Sequence, residues 1–195
     1  MIISFTKDLA KLFNLDLKIE HSNKFMVSPP LDDWVMGLAF SNKKSTGVFM
    51  IHRYSFLTLF VVSDKPDLRH CLHLLYEQLI AIIKFAGLTD SKYFEYYDQL
   101  FDHIHMVKHD NRSISSEIGN FKRQFSWFNE DSISSKQKVY SIDLVNKLND
   151  DIRNKFKFKT SKEVFIELLK NHYADPILVA IPDDDIGCGN RHTLH

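Results

Sequence analysis

"DWVMGLAFSNKKSTGVFMIHRYSFLTLFVV", residues 33–62, contains three apolar runs that decide the fold. The runs 33–40, 46–52 and 56–62 are rich in aromatic and β-branched residues, which is typical of β-strands. Only "SNKKS" and "RYS" separate them. Connections this short join antiparallel neighbours, so the stretch predicts a three-stranded antiparallel meander.

The residues ahead of the meander predict one more strand and a short helix. "MIISFT" is a short apolar run, and the helical spacing that follows it predicts a helix with Thr6 as its N-cap. Residues 20–32 are polar and contain Pro29 and Pro30, which favours an extended loop. We expect the N-terminal strand to join one edge of the meander.

After the meander, the hydrophobic period becomes helical. Apolar residues repeat at three and four from Leu68 to Ala86, Pro66 suits a first helical turn, and Gly87 suits a helix C-terminus. Four further helices are predicted at residues 90–101, 113–129, 141–155 and 161–173. Thr160 and Glu163 have the spacing of a capping box for the last of these.

This order predicts an α+β fold, a small antiparallel β-meander with an N-terminal edge strand, covered by a bundle of about five to six helices. Ile152 is predicted to lie on the buried face of the helix at 141–155. Residues 1–181 are expected to form a single domain, with a late strand in "DPILVAIP" at 175–182. The polar residues 182–195 are expected to be a mobile tail.

Composition narrows the class of protein. The chain of 195 residues is 44% hydrophobic and has 16 Phe, enough for a substantial core. Lys and Arg together equal Asp and Glu at 25 each, so no net field attracts nucleic acid or anionic lipid. Cys71 and Cys188 do not make a disulfide scaffold, and no uninterrupted apolar window reaches 18 residues. We expect a cytoplasmic protein with no membrane partner.

The histidines of "HIHMVKH" are the candidates for catalysis or metal binding. Alternation along an extended strand would put His103 and His105 on one side, with His109 nearby. Zinc requires three or four ligands in a supported shell, which this spacing alone does not supply, so we expect no metal and no cofactor. The tail residues Cys188 and His192 and the run 183–185 of three Asp are weaker candidates.

The stretch "NRSISSEIGNFKRQF", residues 111–125, is the best candidate for a binding site. Arg112 precedes a helix N-terminus, where backbone N–H groups and the helix dipole favour an anion, and Ser113 adds a short polar group. The alternative is that the serines only cap the helix and that Arg112 pairs with a surface carboxylate. We expect Arg112 to lie in a concavity, with Asn120 or Lys7 facing the same space.

Gly119 in the same helix suggests a close approach. A glycine in a helix interior costs about 1 kcal/mol relative to alanine, so a neighbouring strand or a ligand is expected to contact it. Packing of Trp34 or Phe49 against Gly119 would satisfy the same requirement without any function.

The order of these features resembles a bacterial family described as domain of unknown function 6933. The shared motifs are "FTKDLAKLF", the Trp-led strand "DWVMGLAF", "KPDL" and "NRSISSEIGNFKRQF", over residues 1 to about 130. The resemblance assigns the family pattern to Thr6, Lys7, Trp34, Arg112, Ser113, Gly119 and Asn120. Gly37 stands where the family strand is expected to carry Asn. The resemblance implies a fold and no activity.

Three functional hypotheses remain at this level. The first is a non-catalytic binding module of a bacterial cell, from an accessory or mobile-element, defence-related gene, whose partner is a protein or a small polar or anionic ligand. Its candidate binding residues are Thr6, Lys7, Trp34, Arg112, Ser113, Asn120, Lys122 and Arg123. The second is a phosphoester-acting enzyme that uses His103, His105 or His109 with Arg112. The third, nucleic-acid binding through the basic flank and Trp127, is disfavoured by the zero net charge.

Overall fold

The computed structural model describes residues 1–17, 30–41, 45–64, 67–109, 112–133, 142–153 and 157–174. Its elements are β1 (Ile2–Phe5), α1 (Lys7–Leu12), a 3₁₀ turn (Pro30–Asp32), β2 (Asp33–Ser41), β3 (Thr46–His52), β4 (Thr58–Ser63), α2 (Leu68–Phe85), α3 (Ser91–Asp102), β5 (His105–Lys108), α4 (Arg112–Ile133), α5 (Ile142–Asp150), β6 (Ile152–Arg153), β7 (Lys159–Thr160) and α6 (Ser161–Ala174). The α+β class predicted from the sequence is confirmed. None of the helices in these ranges is long and apolar enough to cross a membrane.

The main sheet has five strands in the order β4-β3-β2-β1-β5. β2, β3 and β4 pair antiparallel in chain order, which confirms the meander. β1 joins the meander beside β2, but the prediction that it is an edge strand is wrong, because β5 pairs with its other side. β1 runs parallel to both neighbours, so the sheet is mixed.

Gly37 on β2 leaves room for the aromatic ring of Phe49, its partner on β3. Gly37 is paired with Phe49, and a Cβ added to Gly37 would lie 2.2 Å from Cζ of that ring. A side chain at position 37 would therefore require the Phe49 ring to move.

Helices cover both faces of the sheet. Strand alternation sends Trp34, Met36, Met50 and Leu59 to one face, where α1, α2, α3 and α6 pack. The opposite face carries Val35, Phe49, Ile51 and Phe60, and α4 and α5 cover it with Ile114, Ile118, Phe121, Phe125 and Leu148. The chain thus has two apolar layers with the meander between them.

α2 ends as its sequence predicts, but it begins at Leu68, after the position expected from Pro66 in the first turn. Asp67 Oδ2 accepts a hydrogen bond from the backbone N–H of His70, so Asp67 is the N-cap, and Pro66 lies outside the described residues. At the other end Gly87 has φ of +79°, and its N–H bonds to the carbonyl oxygen of Lys84. The N–H of Leu88 reaches back to the carbonyl of Ile83, which completes a Schellman motif.

The capping box of α6 is also confirmed. Thr160 Oγ1 accepts from the backbone N–H of Glu163 at 3.1 Å, and the Glu163 carboxylate accepts from the backbone N–H of Thr160 at 2.8 Å. These hydrogen bonds lower the pKa of Glu163 below its ordinary value.

The helix predicted at 141–155 is shorter than expected. α5 ends at Asp150, and Ile152, which the sequence suggested was on the helix face, belongs to β6 and pairs with Thr160. The predicted strand at 175–182 and tail at 182–195 lie outside the described residues. The single domain over 1–181 stays a prediction.

Candidate functional site

The parallel strands β1 and β5 end side by side and then separate. The backbone N–H of His109 bonds to the carbonyl oxygen of Phe5 at 2.9 Å, so the strand ends are held together. The chain leaves β1 into α1 on one face and leaves β5 into α4 on the opposite face. Such a switch point at the carboxyl ends of parallel strands is where open α/β sheets bind ligands.

Thr6 occupies this switch point with an unused hydroxyl. Thr6 is the N-cap residue of α1, as predicted, but its side chain makes no capping hydrogen bond. Its Oγ1 is buried and has no hydrogen-bond partner among the described residues. Phe5 packs on the face of the sheet that α1 and α2 cover. Successive side chains of an extended chain point to opposite faces, so Thr6 points to the face that α4 covers. Buried hydroxyls almost always have a partner, so a ligand or water is expected here.

Two contacts join α4 to this edge. Lys122 Nζ lies 3.5 Å from Asp8 Oδ2 at the start of α1, and His109 Nε2 lies 3.3 Å from Ser115 Oγ. Ser115 and Lys122 are seven residues apart on α4, so they share one flank at a separation of about 10 Å. We call the region formed by Thr6, Lys7, Asp8, His109, Ser115 and Lys122 the switch-point edge.

The predicted residues Thr6, Lys7 and Lys122 therefore lie in one region. Lys7 is exposed in the first turn of α1. Arg112 and Ser113 begin α4 three residues after His109, which brings their backbone to the same edge, while their side chains lie outside the described part.

Trp34 is in the core and not at this surface. It is fully buried, its Nε1–H donates to the carbonyl oxygen of Leu31 at 3.1 Å, and its ring packs against His52 and Phe165. No partner can reach Trp34 without unfolding the apolar layer, so we remove it from the candidate site.

Asn120 and Arg123 lie away from the switch-point edge. Asn120 is eight residues beyond Arg112, and it lies with Glu117 on the opposite flank of α4 from Ser115. Arg123 donates to Asn120 Oδ1 at 2.6 Å. The expectation that Asn120 or Lys7 faces the same space as the Arg112 side chain stays a prediction, because that side chain lies outside the described part.

Gly119 is exposed, and no described atom lies within 4 Å of the position of an added Cβ. The predicted approach of a neighbouring strand to Gly119, and the alternative packing of Trp34 or Phe49 against it, are wrong, while the approach of a ligand stays a prediction.

The three histidines do not converge. His103 is exposed with Nδ1 3.2 Å from the carbonyl oxygen of Gln99, and His105 is exposed on β5. His105 and His109 are separated by about 13 Å of extended chain. Among the described residues no group of three or more His, Cys, Asp or Glu has the arrangement to hold a metal ion.

Sequence reasoning missed a polar cluster at the opposite end of the sheet. Asp32, 7% exposed, accepts a hydrogen bond from the hydroxyl of Tyr96, and burial raises the pKa of Tyr96. Tyr97 beside it is fully buried, and burial raises its pKa also. Asp32 and Tyr96 are 64 residues apart, so no local pattern indicates the pair. The cluster joins the 3₁₀ turn to α3.

The comparison with protein-family models agrees with the family resemblance of the sequence. The model of a family described as domain of unknown function (DUF6933) matches residues 2–164. No curated protein and no solved structure matches the chain. The match spans most of the sequence and includes β1, the meander and the whole of the switch-point edge. The chain therefore belongs to the DUF6933 family.

Proposed function

We propose that the chain is a non-catalytic binding module that holds a polar or anionic partner at the switch-point edge. The observation that carries the proposal is the buried, unused hydroxyl of Thr6, which lies where two parallel strands send their helices to opposite faces. The proposal includes the setting expected from the sequence, the cytoplasm of a bacterial cell and an accessory or mobile-element gene.

The electrostatics of the edge favour an anion. α4 has 22 residues and presents its N-terminal N–H groups and the positive end of its dipole to the edge. Among the described residues that define the edge, Lys7 and Lys122 supply two cations and Asp8 supplies one carboxylate. The side chains of Lys122 and Asp8 are 36% and 67% exposed. Solvent-exposed ion pairs contribute little to stability, so an anion can displace Asp8 from Lys122 at small cost. Arg112 would add a third cation.

Inorganic phosphate is a suitable probe because it matches both the helix N-terminus and a hydroxyl donor. Phosphate that binds the folded state is expected to raise the unfolding temperature above that in chloride at equal ionic strength. Phosphate also stabilises proteins by exclusion from their surface, so variants are needed to isolate binding. The part of the increase in unfolding temperature that comes from specific phosphate binding is expected to be smaller in Lys7→Ala and Lys122→Ala. It is expected to persist in Lys170→Ala, since Lys170 is an exposed residue on α6.

Thr6→Val makes the sharpest test. Valine keeps the shape of threonine and removes only the hydroxyl, which has no described partner, so stability without phosphate is expected to stay equal or rise. The phosphate-dependent increase is expected to shrink. A wild-type increase that survives unchanged in Thr6→Val, Lys7→Ala and Lys122→Ala would refute an anion site at this edge.

The alternative of a phosphoester-acting enzyme has one observation in its favour. His109 and Ser115 form a base and hydroxyl pair at 3.3 Å on the same edge. His103 and His105 lie too far along the chain to assist. Hydrolysis of p-nitrophenyl phosphate that is lost in His109→Gln would favour the enzyme, and its absence in the wild type would favour the binding module.

A further inference from the structure

α4 begins at the switch-point edge without an acidic side chain in its first turn. The first four residues, 112–115, are Arg-Ser-Ile-Ser, so this turn supplies no carboxylate to the N–H groups and the positive end of the helix dipole. The edge does hold a carboxylate from another element, since Asp8 Oδ2 of α1 lies 3.5 Å from Lys122 Nζ. A carboxylate is therefore a suitable occupant of this edge.

The chain beyond α6 is rich in carboxylates. Residues 175–195 contain four Asp and one Arg, with no Lys and no Glu. Asp183–Asp185 are the only three consecutive acidic residues of the sequence, and we call them the acidic segment. Adjacent like charges repel one another, and nearby cations relieve this repulsion. The acidic segment is thus complementary in charge to the edge that carries Lys7 and Lys122.

The C-terminal end of α6 lies near the beginning of the central strands. The hydroxyl of Tyr173 donates to the carbonyl oxygen of Lys92 at 3.0 Å, and the Tyr173 ring packs on Tyr96. The hydroxyl of Tyr96 donates in turn to Asp32, which directly precedes β2. β1 and β5 begin at the same level of the sheet as β2. The chain therefore leaves α6 at the end of the sheet opposite to the switch-point edge.

The acidic segment is within reach of the switch-point edge. The edge lies ~13 Å further along the strands and two strand spacings, ~10 Å, to the side of β2. Asp183 follows Ala174 by nine residues, and an extended chain of that length spans up to ~30 Å. β5 is the outermost strand of the described sheet, so a chain that passes outside β5 reaches the face covered by α4 without crossing the sheet.

The residues between α6 and the acidic segment suit this path. Residues 177–181 are Ile-Leu-Val-Ala-Ile, an apolar run typical of a strand, with Pro176 before it and Pro182 after it. Among the described strands none pairs with the outer edge of β5. The unpaired N–H and C=O groups of an edge strand favour the addition of another strand. A strand added parallel to β5 would bring the acidic segment to the switch-point edge.

We infer that the acidic segment binds the switch-point edge of its own chain, with its carboxylates at Lys7, Lys122 and the N-terminal N–H groups of α4. The buried Thr6 hydroxyl donates to one of these carboxylates. The acidic segment therefore competes with an external anion and regulates access to the edge. This inference rests on the proposed function, because it names an internal competitor for the same site.

The test neutralises the acidic segment in the full chain with the substitutions Asp183→Asn, Asp184→Asn and Asp185→Asn. Inorganic phosphate is titrated into the ¹⁵N-labelled protein at low, constant ionic strength. The dissociation constant for phosphate is expected to fall about three- to tenfold, because the neutral segment no longer competes. Before phosphate is added, the amide signals of Thr6, Lys7 and Lys122 are expected to differ between this variant and the wild type.

A matched control removes three exposed carboxylates elsewhere on the surface. It carries Asp64→Asn after β4, Glu77→Gln on α2 and Glu95→Gln on α3, so its net charge changes by the same amount. The control is expected to keep the wild-type affinity for phosphate and the wild-type amide signals at the edge. An equal gain in affinity in the control would mean that net charge alone is responsible, and would overturn the inference.

The wild type provides a second readout that needs no change in the acidic segment. Phosphate is expected to move the amide signals of residues 183–185 towards their positions in Lys122→Ala, where the segment has lost a cation. Differences at the edge without any phosphate binding would support the inference and refute the proposed function. Equal phosphate affinity of the wild type and the neutralised variant, with no differences at the edge, would overturn the inference and leave the proposed function intact.

Discussion

The side-chain amide of Asn149 is expected to hold α5 against the free edge of β4. Asn149 Oδ1 accepts from the backbone N–H of Thr58 at 2.7 Å, and Asn149 Nδ2 donates to the carbonyl oxygen of Thr58 at 2.7 Å. The amide thus replaces a neighbouring strand at this position. Asn149 is 3% exposed and Thr58 4% exposed, so water does not readily substitute for either bond.

Asn149→Ala removes both bonds and leaves a buried N–H and a buried carbonyl without the amide. A buried group left unsatisfied costs ~1–3 kcal/mol, so the two together cost ~2–6 kcal/mol. We expect a value in the lower half of this range, about 3 kcal/mol, because the costs of two neighbouring groups do not add in full. For a domain of this size the unfolding temperature should fall by about 6–12 °C.

Chemical denaturation of the wild type and the variant measures the change in the free energy of unfolding. Asn146→Ala is the matched control, since Asn146 is exposed one turn earlier on α5 and its loss should change stability by less than about 0.5 kcal/mol. Amide hydrogen exchange adds a local readout, because the protection of the Thr58 N–H depends on Asn149 directly. A cost below about 1 kcal/mol with unchanged protection at Thr58 would refute the reasoning.

Four more predictions concern other parts of the chain. Leu75→Ala should cost ~2–5 kcal/mol in urea denaturation, since Leu75 is fully buried on α2 and its loss leaves a cavity; a cost below ~1 kcal/mol would mean that α2 packs differently. Burial leaves Cys71 0% exposed and raises its pKa to about 11, so in a Cys188→Ser background a thiol reagent should react only after unfolding. The lowered pKa of Glu163 stabilises the fold above the unfolded-state pKa, and this contribution is lost as pH falls through the folded-state pKa; Glu163→Gln should remove that part of the acid dependence of the unfolding temperature. Arg112→Ala should change stability by less than about 0.5 kcal/mol and abolish retention of a partner in a pull-down, whereas a large loss of stability with unchanged retention would mean that Arg112 is structural.

Local sequence determined the elements whose stabilising groups are close together along the chain. The meander follows from three apolar runs with short connections. The end of α2 follows from Gly87, and the capping box of α6 from Thr160 and Glu163 three residues apart. Each of these features depends on backbone conformation or hydrogen bonds within a few residues, which a sequence pattern records.

Only the tertiary structure decided how distant segments meet. β5 pairs with β1 although about one hundred residues separate Ile2 from His105, and a four-residue strand carries little pattern of its own. That pairing created the switch-point edge. α1 and α4 also meet at this edge, where Lys122 Nζ lies 3.5 Å from Asp8 Oδ2 although the two residues are far apart along the chain.

The two hydrogen bonds between Asn149 and Thr58 have the same origin. Thr58 and Asn149 are 91 residues apart, and neither residue type nor spacing indicates their two hydrogen bonds. Gly119 shows the converse, because its propensity cost suggested a contact that the fold does not make. Propensity and spacing act within one element, while the ligand-sized spaces lie between elements, where packing of the whole chain determines which side chains face one another.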